Sequence, residues 1–188
     1  MSNDQQTISL VMSSVMEFIT QMKEENDRAV VIMGAANVDS LLKSLLERSM
    51  LPRLNRKSDE LLDGDSPLSS FSAKIKTCYR IALIDREFAQ ALHTLRKIRN
   101  DFAHRIKGCD LNSPPHSDQV DHLINYFKDS PILQTLRPFF PGDQSNSRDF
   151  RIVLSFICAL LEMKIKHIPK RIKANPISIA WVPIDVGG

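Results

Sequence analysis

Apolar residues return at spacings of three and four along most of this chain, and that period, unlike the alternation of a strand, predicts helices. Leu10, Val11, Val15, Phe18, Ile19 and Met22 mark an amphipathic first helix over residues 6–24, with Asp4 near its start. Glu25 and Asn26 break the pattern. Residues 27–50 form a longer helix whose broad stripe includes Val30, Val31, Met33, Val38, Leu41, Leu42, Leu45 and Leu46, and Pro52 ends it. Gly34, Ala35 and Ala36 lie inside this helix. A glycine there costs about 1 kcal/mol in propensity, so close approach of a second helix is the compensation expected.

Residues 51–66 read as a connector with a short turn from Asp59 to Leu62. Gly64-Asp65-Ser66-Pro67 then restarts a helix, Ser66 as cap and Pro67 at the first helical position, running to about Leu83. Its inward residues are Leu68, Phe71, Ile75, Cys78, Tyr79 and Ala82, with Lys74, Lys76 and Arg80 elsewhere on the wheel. Asp85 caps a fourth helix, 86 to about 107, packed through Phe88, Ala91, Leu92, Leu95, Ile98 and Phe102. After the loop Asn112-Ser113-Pro114-Pro115, a fifth helix spans Ser117 to about Lys128. Residues 129–147, with Pro131, Pro138 and Pro141, are expected to be irregular yet packed. A last helix runs from Ser147 or Arg148 to Pro169, and Ile177, Ile179, Trp181, Val182 and Ile184 make the tail the one candidate strand. The pattern predicts an all-α single domain of about six helices over residues 1–174, with an extended C-terminal tail over 175–188.

Composition narrows the class. With 188 residues the chain can bury one core without disulfides, and 43% hydrophobic with 25% charged residues is the balance of a soluble globular protein. The longest apolar run, Ile152 to Leu161, is interrupted by Ser155 and stops at Glu162, short of the roughly 20 residues that span a bilayer. The start, Ser2-Asn3-Asp4-Gln5-Gln6, lacks the basic and apolar parts of a secretion signal, so a cytoplasmic location without membrane contact is expected. Cys78, Cys109 and Cys158 are odd in number and form no CxxC pair, so no disulfide framework or cysteine zinc site is expected. Cys78 and Cys158 fall in apolar stretches and read as core, while Cys109 follows a helix end. His93, His116, His122 and His167 have no ligand-like spacing and read as surface or loop residues; the i, i+4 pair Asp118 and His122 is too few for a metal. No metal or cofactor is expected.

The densest chemistry lies at Arg99-Asn100-Asp101-Phe102-Ala103-His104. Measured from Arg99 at about 100° per residue, Asn100 and His104 point to one flank of the helix, at about 100° and 140°. An arginine with paired N–H donors, an amide and an imidazole could hold a phosphate, orient a 2′-hydroxyl and move a proton, cutting RNA without metal. The simpler account pairs Arg99 with a carboxylate and leaves His104 as a cation suited to the helix's last turn. The Arg-x4-His spacing, with a polar residue after the arginine, resembles the motif of the HEPN superfamily of all-helical domains, which implies Arg99, Asn100 and His104 as catalytic residues of a ribonuclease.

Three ordered segments resemble the mannitol operon repressor (MltR) family. They are Glu25-Asn26-Asp27-Arg28 through Ala36 with Leu41-Leu42 and Leu45-Leu46, Ser66-Pro67-Leu68 through Ile84, and Leu95-Arg96-Lys97-Ile98 through His104, together covering residues 24–108. The resemblance implies a bacterial transcriptional regulator. No DNA-reading element is evident: the turn at Leu83 to Asp85 lacks glycine, and the helix after it spends its inner face on core residues. Action through a protein partner is therefore expected, with self-association through amphipathic helices, and the metal-independent ribonuclease stands as the alternative. The net charge of +3 decides nothing by itself. Its distribution picks out Arg96, Lys97, Arg105 and Lys107 at the end of the fourth helix, and Lys170 with Arg171 after the last, as candidate phosphate or nucleic-acid contacts. Helix C-termini favour such charges anyway, and no aromatic residue interleaves to stack bases, so nucleic acid is left open as a partner.

Overall fold

A computed structural model describes residues 13, 15–53, 59–105, 108–142 and 144–168, and the predicted strand in the tail lies outside them. Helix α1 occupies 15–23. It is followed by α2 (Asp27–Ser49), α3 (Phe71–Arg80), α4 (Arg86–His104), α5 (His116–Phe127), α6 (Pro131–Leu136), a 3-10 turn (Arg137–Phe139) and α7 (Asn146–His167). No strand occurs among the described residues, and the all-α class read from the sequence is what the chain adopts.

Two helices form the axis. Every residue of α7 from Ile152 to Ala159 is buried, so this segment is apolar all round and is enclosed by α2, α5 and α6. Its one polar member, Ser155, returns its hydroxyl to the Arg151 carbonyl at 2.8 Å. Helix α2 packs on α3, α4 and α7. Its start is fixed by Asn26, whose side chain accepts from Ala29 N at 3.0 Å. By length and composition α2 is apolar enough to cross a membrane, with a mean hydropathy of 1.5 over its best window. A search for unbroken apolar runs overlooks it, because Asn37, Asp39 and Lys43 interrupt the stretch; in this fold it is a core helix.

The close approach expected at Gly34 is present. A Cβ placed there would lie 2.1 Å from Leu154 Cδ2 on α7.

The third helix is shorter than the sequence suggested. Ser66 does not cap it: its hydroxyl donates to the carbonyls of Asp59 and Asp63, and Leu68 N returns to Leu61 O at 2.8 Å, which keeps residues 60–68 in turns. Ser70 caps α3 instead, accepting from Ala73 N at 3.1 Å. The helix closes before Leu83 because Ala82 takes a left-handed φ of 57°, with Ala82 N bonded to Tyr79 O and Leu83 N to Cys78 O. Lys74, expected off the buried stripe, is 4% exposed and pairs with Asp39 at 2.7 Å. Tyr79 and Met33, expected inward, are 43% and 47% exposed.

The fourth helix ends at His104, three residues early, and Pro131 opens the short helix α6 within a segment read as irregular. His116 is buried, not on the surface. Cys78 and Cys158 are core residues as expected, and burial pushes both thiols up to about 12.

Gly34→Ala should destabilise the fold by about 1–2 kcal/mol in urea unfolding, because overpacking against a buried leucine outweighs the gain in helix propensity. Placed in a Leu154→Ala background, the same substitution should cost nothing. An equal loss in both backgrounds would mean that the contact does not set the helix spacing.

Candidate functional site

The motif rides on an unbroken stretch of α4. Asp85 fixes the helix start by accepting from Phe88 N at 2.7 Å. With Leu95, Ile98 and Phe102 turned into the core, Arg99 and His104 are exposed and Asn100 is half-buried. Arg99 Nη1 donates to Asn100 Oδ1 at 3.0 Å, so guanidinium and amide touch, and the amide shares its flank with His104. The imidazole of His104 has no hydrogen bond or ion pair among the described residues. Chemically, this is an exposed guanidinium in contact with an amide, with an exposed imidazole one turn further along the helix, able to meet a phosphate from solvent.

The other residues of the segment are structural. Asp101 turns toward α5, its Oδ2 3.4 Å from Nε2 of the buried His116, an ion-pair distance without hydrogen-bond alignment. That imidazole also packs edge-on against Phe102, with ring centres 5.1 Å apart. The Asp101 carbonyl accepts from Arg105 N at 3.0 Å and from Cys109 Sγ at 3.5 Å.

What sequence reasoning missed is the group that closes α4. Arg28, at the start of α2, donates through Nη1 to the Phe102 carbonyl and through Nη2 to the Arg105 carbonyl at 2.5 Å. A guanidinium thus covers the negative end of the motif helix and stops it at His104. Its neighbour Asp27 reaches toward α7, accepting from Arg151 Nη1 at 2.8 Å and from the Ser147 hydroxyl. Arg151 also donates to the carbonyls of Met22, Glu25 and Ser147 at 3.3, 2.7 and 2.9 Å. Asn112 ties in the loop after α4, accepting from Ser147 N at 3.2 Å. Asp110 holds that loop in turn: the Asn112 N–H, then the Ser113 hydroxyl, keep its carboxyl below the usual carboxylate range. The available signals were Asp27-Arg28 at a predicted helix start and Arg151 at the head of an apolar stretch.

The candidate phosphate contacts divide. Lys97 and Arg105 are exposed, and Arg96 is half-buried with an Nε that finds no acceptor among the described residues. Lys107, Lys170 and Arg171 lie outside the described residues. Burial first, then the positive charge of Arg96 and of Lys76 on α3, hold the His93 imidazole below its ordinary pKa. The outward flank of α4 is accordingly cationic. Among the described residues no group of three histidine, cysteine or acidic side chains could hold a metal ion.

Two clefts among the described residues bear on the question of a site. One of about 190 Å³ lies between the start of α4 and the end of α7, apolar through Leu83, Ile84, Phe88, Leu160 and Leu161. The other, about 480 Å³, lies at the start of α7. Neither includes Arg99, Asn100 or His104. Comparison of the chain with family models, with curated proteins and with solved structures finds no match.

Asp27→Asn should lower the unfolding free energy by about 2 kcal/mol, because Arg151, only 13% exposed, keeps its charge and loses its carboxylate. Arg99→Ala and His104→Ala should each stay within about 0.5 kcal/mol of the parent. Urea titrations followed by circular dichroism measure all three. Comparable losses at the three positions would contradict this division of labour.

Proposed function

We propose that this protein is a transcriptional regulator of the mannitol operon repressor type, acting from the cytoplasm through a protein partner and not by reading DNA bases. The observation that carries this reading is how the segments bearing the resemblance are used. Arg28 from the first is bonded to the end of the last, so the two make one structural joint, and Asp27, Arg28 and Asp101 serve the fold. Helix α4, the second of the α3–α4 pair, is packed by α2, α3 and α5, which leaves little of it to enter a major groove. Exposed Tyr79 and Ile81 at the end of α3 supply apolar surface of the kind used in protein contacts. Deleting the gene should change the level of a small set of transcripts, while the purified chain should leave promoter fragments of those genes unshifted at micromolar concentration. Tight, sequence-selective binding by the chain alone would overturn action through a partner. Unaltered transcripts would overturn regulation.

The exposure of Arg99 and His104, with Asn100 in contact with the arginine, favours a second reading: a metal-independent ribonuclease whose site is completed by a second copy. It predicts RNA cleavage in EDTA that His104→Ala abolishes without lowering the melting temperature. Absence of cleavage at any protein concentration would remove it.

A further inference from the structure

We propose that the cleft at the start of α7 binds a small phosphorylated metabolite of the phosphate monoester class. The cleft is reached from three directions: Lys23 and Glu24 at the end of α1, Phe140 in the loop after the 3-10 turn, and Ser145, Arg148 and Arg151 at the start of α7. Its volume of about 480 Å³ falls within the span of small-molecule sites, and donors converge on it.

Which of its cations are committed decides the ligand. Arg151 is fully engaged by Asp27 and backbone carbonyls. Arg148 is anchored through one nitrogen only, Nε donating to the Phe140 carbonyl at 2.6 Å, and its two terminal nitrogens have no acceptor among the described residues. That is a fork held in place with its donors unspent. The exposed ammonium of Lys23 has no partner among the described residues either. Ser145 accepts from Arg148 N at 3.2 Å through its hydroxyl oxygen and retains its proton for donation.

Two uncommitted cations thus line the same cleft, and among the described lining residues Glu24 is the one carboxylate set against them. A phosphate monoester carries between one and two negative charges near neutral pH and presents three acceptor oxygens, enough for a guanidinium fork, an ammonium and a hydroxyl together. A monocarboxylate would leave one cation unmatched. The positive end of the 22-residue α7 adds to the attraction. Its exposed N–H groups do not do the holding, since Ser147 N and Arg148 N are already taken by Asn112 and Ser145. The site is separate from Arg99, Asn100 and His104 and does not rest on either function proposed above.

Phenyl phosphate and, separately, inorganic phosphate titrated into the full chain at constant ionic strength should give saturable shifts in ¹H–¹⁵N spectra, centred on residues 140–151 and Lys23. Lys23→Ala, at an exposed position, should weaken binding roughly tenfold with the melting temperature unchanged. Arg148→Lys should weaken it similarly, although the charge is kept. If that variant fails to fold, the Lys23→Ala result decides. Shifts that never saturate, that are equal in Lys23→Ala, or that centre on residues 93–105 would overturn the assignment.

Discussion

The meeting of three helix ends in this fold depends on two adjacent residues of opposite charge at one helix start. Asp27 and Arg28 open α2 and point in opposite directions, the carboxylate to Arg151 and Ser147 on α7, the guanidinium to the last carbonyls of α4. Three helix ends are thereby joined within two residues. Each bond is charge-assisted, and those to Phe102, Ser147 and Arg151 are partly screened from water, so these contribute more than a surface pair would. The placement also suits the dipoles: an acid at the positive end of α2, and a cation at the negative end of α4.

The apolar packing makes this joint possible. Without a side chain at Gly34, α2 comes close enough to α7 for Leu154 to fill the space a methyl would need. That approach brings the start of α2 beside the start of α7, where Asp27 meets Arg151. A core that is mostly aliphatic has little directional preference of its own. Directionality comes from the polar joint, which fixes where the helix ends meet, while the core supplies the bulk of the free energy.

The helices were legible wherever the buried stripe was simple. The period of three and four located α2, α4, α5 and α7, and Asp85 stated the start of α4 outright. Legibility failed where a local bond competed with a helix signal. Ser66 and Pro67 read as a cap, but Ser66 had nearer acceptors in the Asp59–Asp63 turn. Alanine at a left-handed φ, as at Ala82, carries no sign of that conformation in the sequence. Of the candidate site, the exposed flank with Arg99 and His104 could be read from the wheel. The buried His116 could not, since its place depends on the edge of Phe102 and the carboxylate of Asp101, both brought to it by the fold.

Cations in this chain fall into two populations, and the distinction bears on function more than the net charge does. Arg28, Lys74 and Arg151 are bound to acceptors inside the fold. Lys23, Lys97 and Arg105 are exposed, and the fork of Arg148 is held with donors to spare. Only the second population can meet an external anion without breaking the structure. Lys97 and Arg105 lie on the cationic flank of α4 beside His104, while Lys23 and Arg148 lie at the cleft by α7. The Asp27–Arg28 joint connects these places physically: Arg151 and Ser147 line the cleft and hold Asp27, and the next residue in the chain holds the end of α4. An anion at the cleft would meet Lys23 and the spare donors of Arg148, while Arg151 stays committed to Asp27 and the backbone and keeps the joint closed.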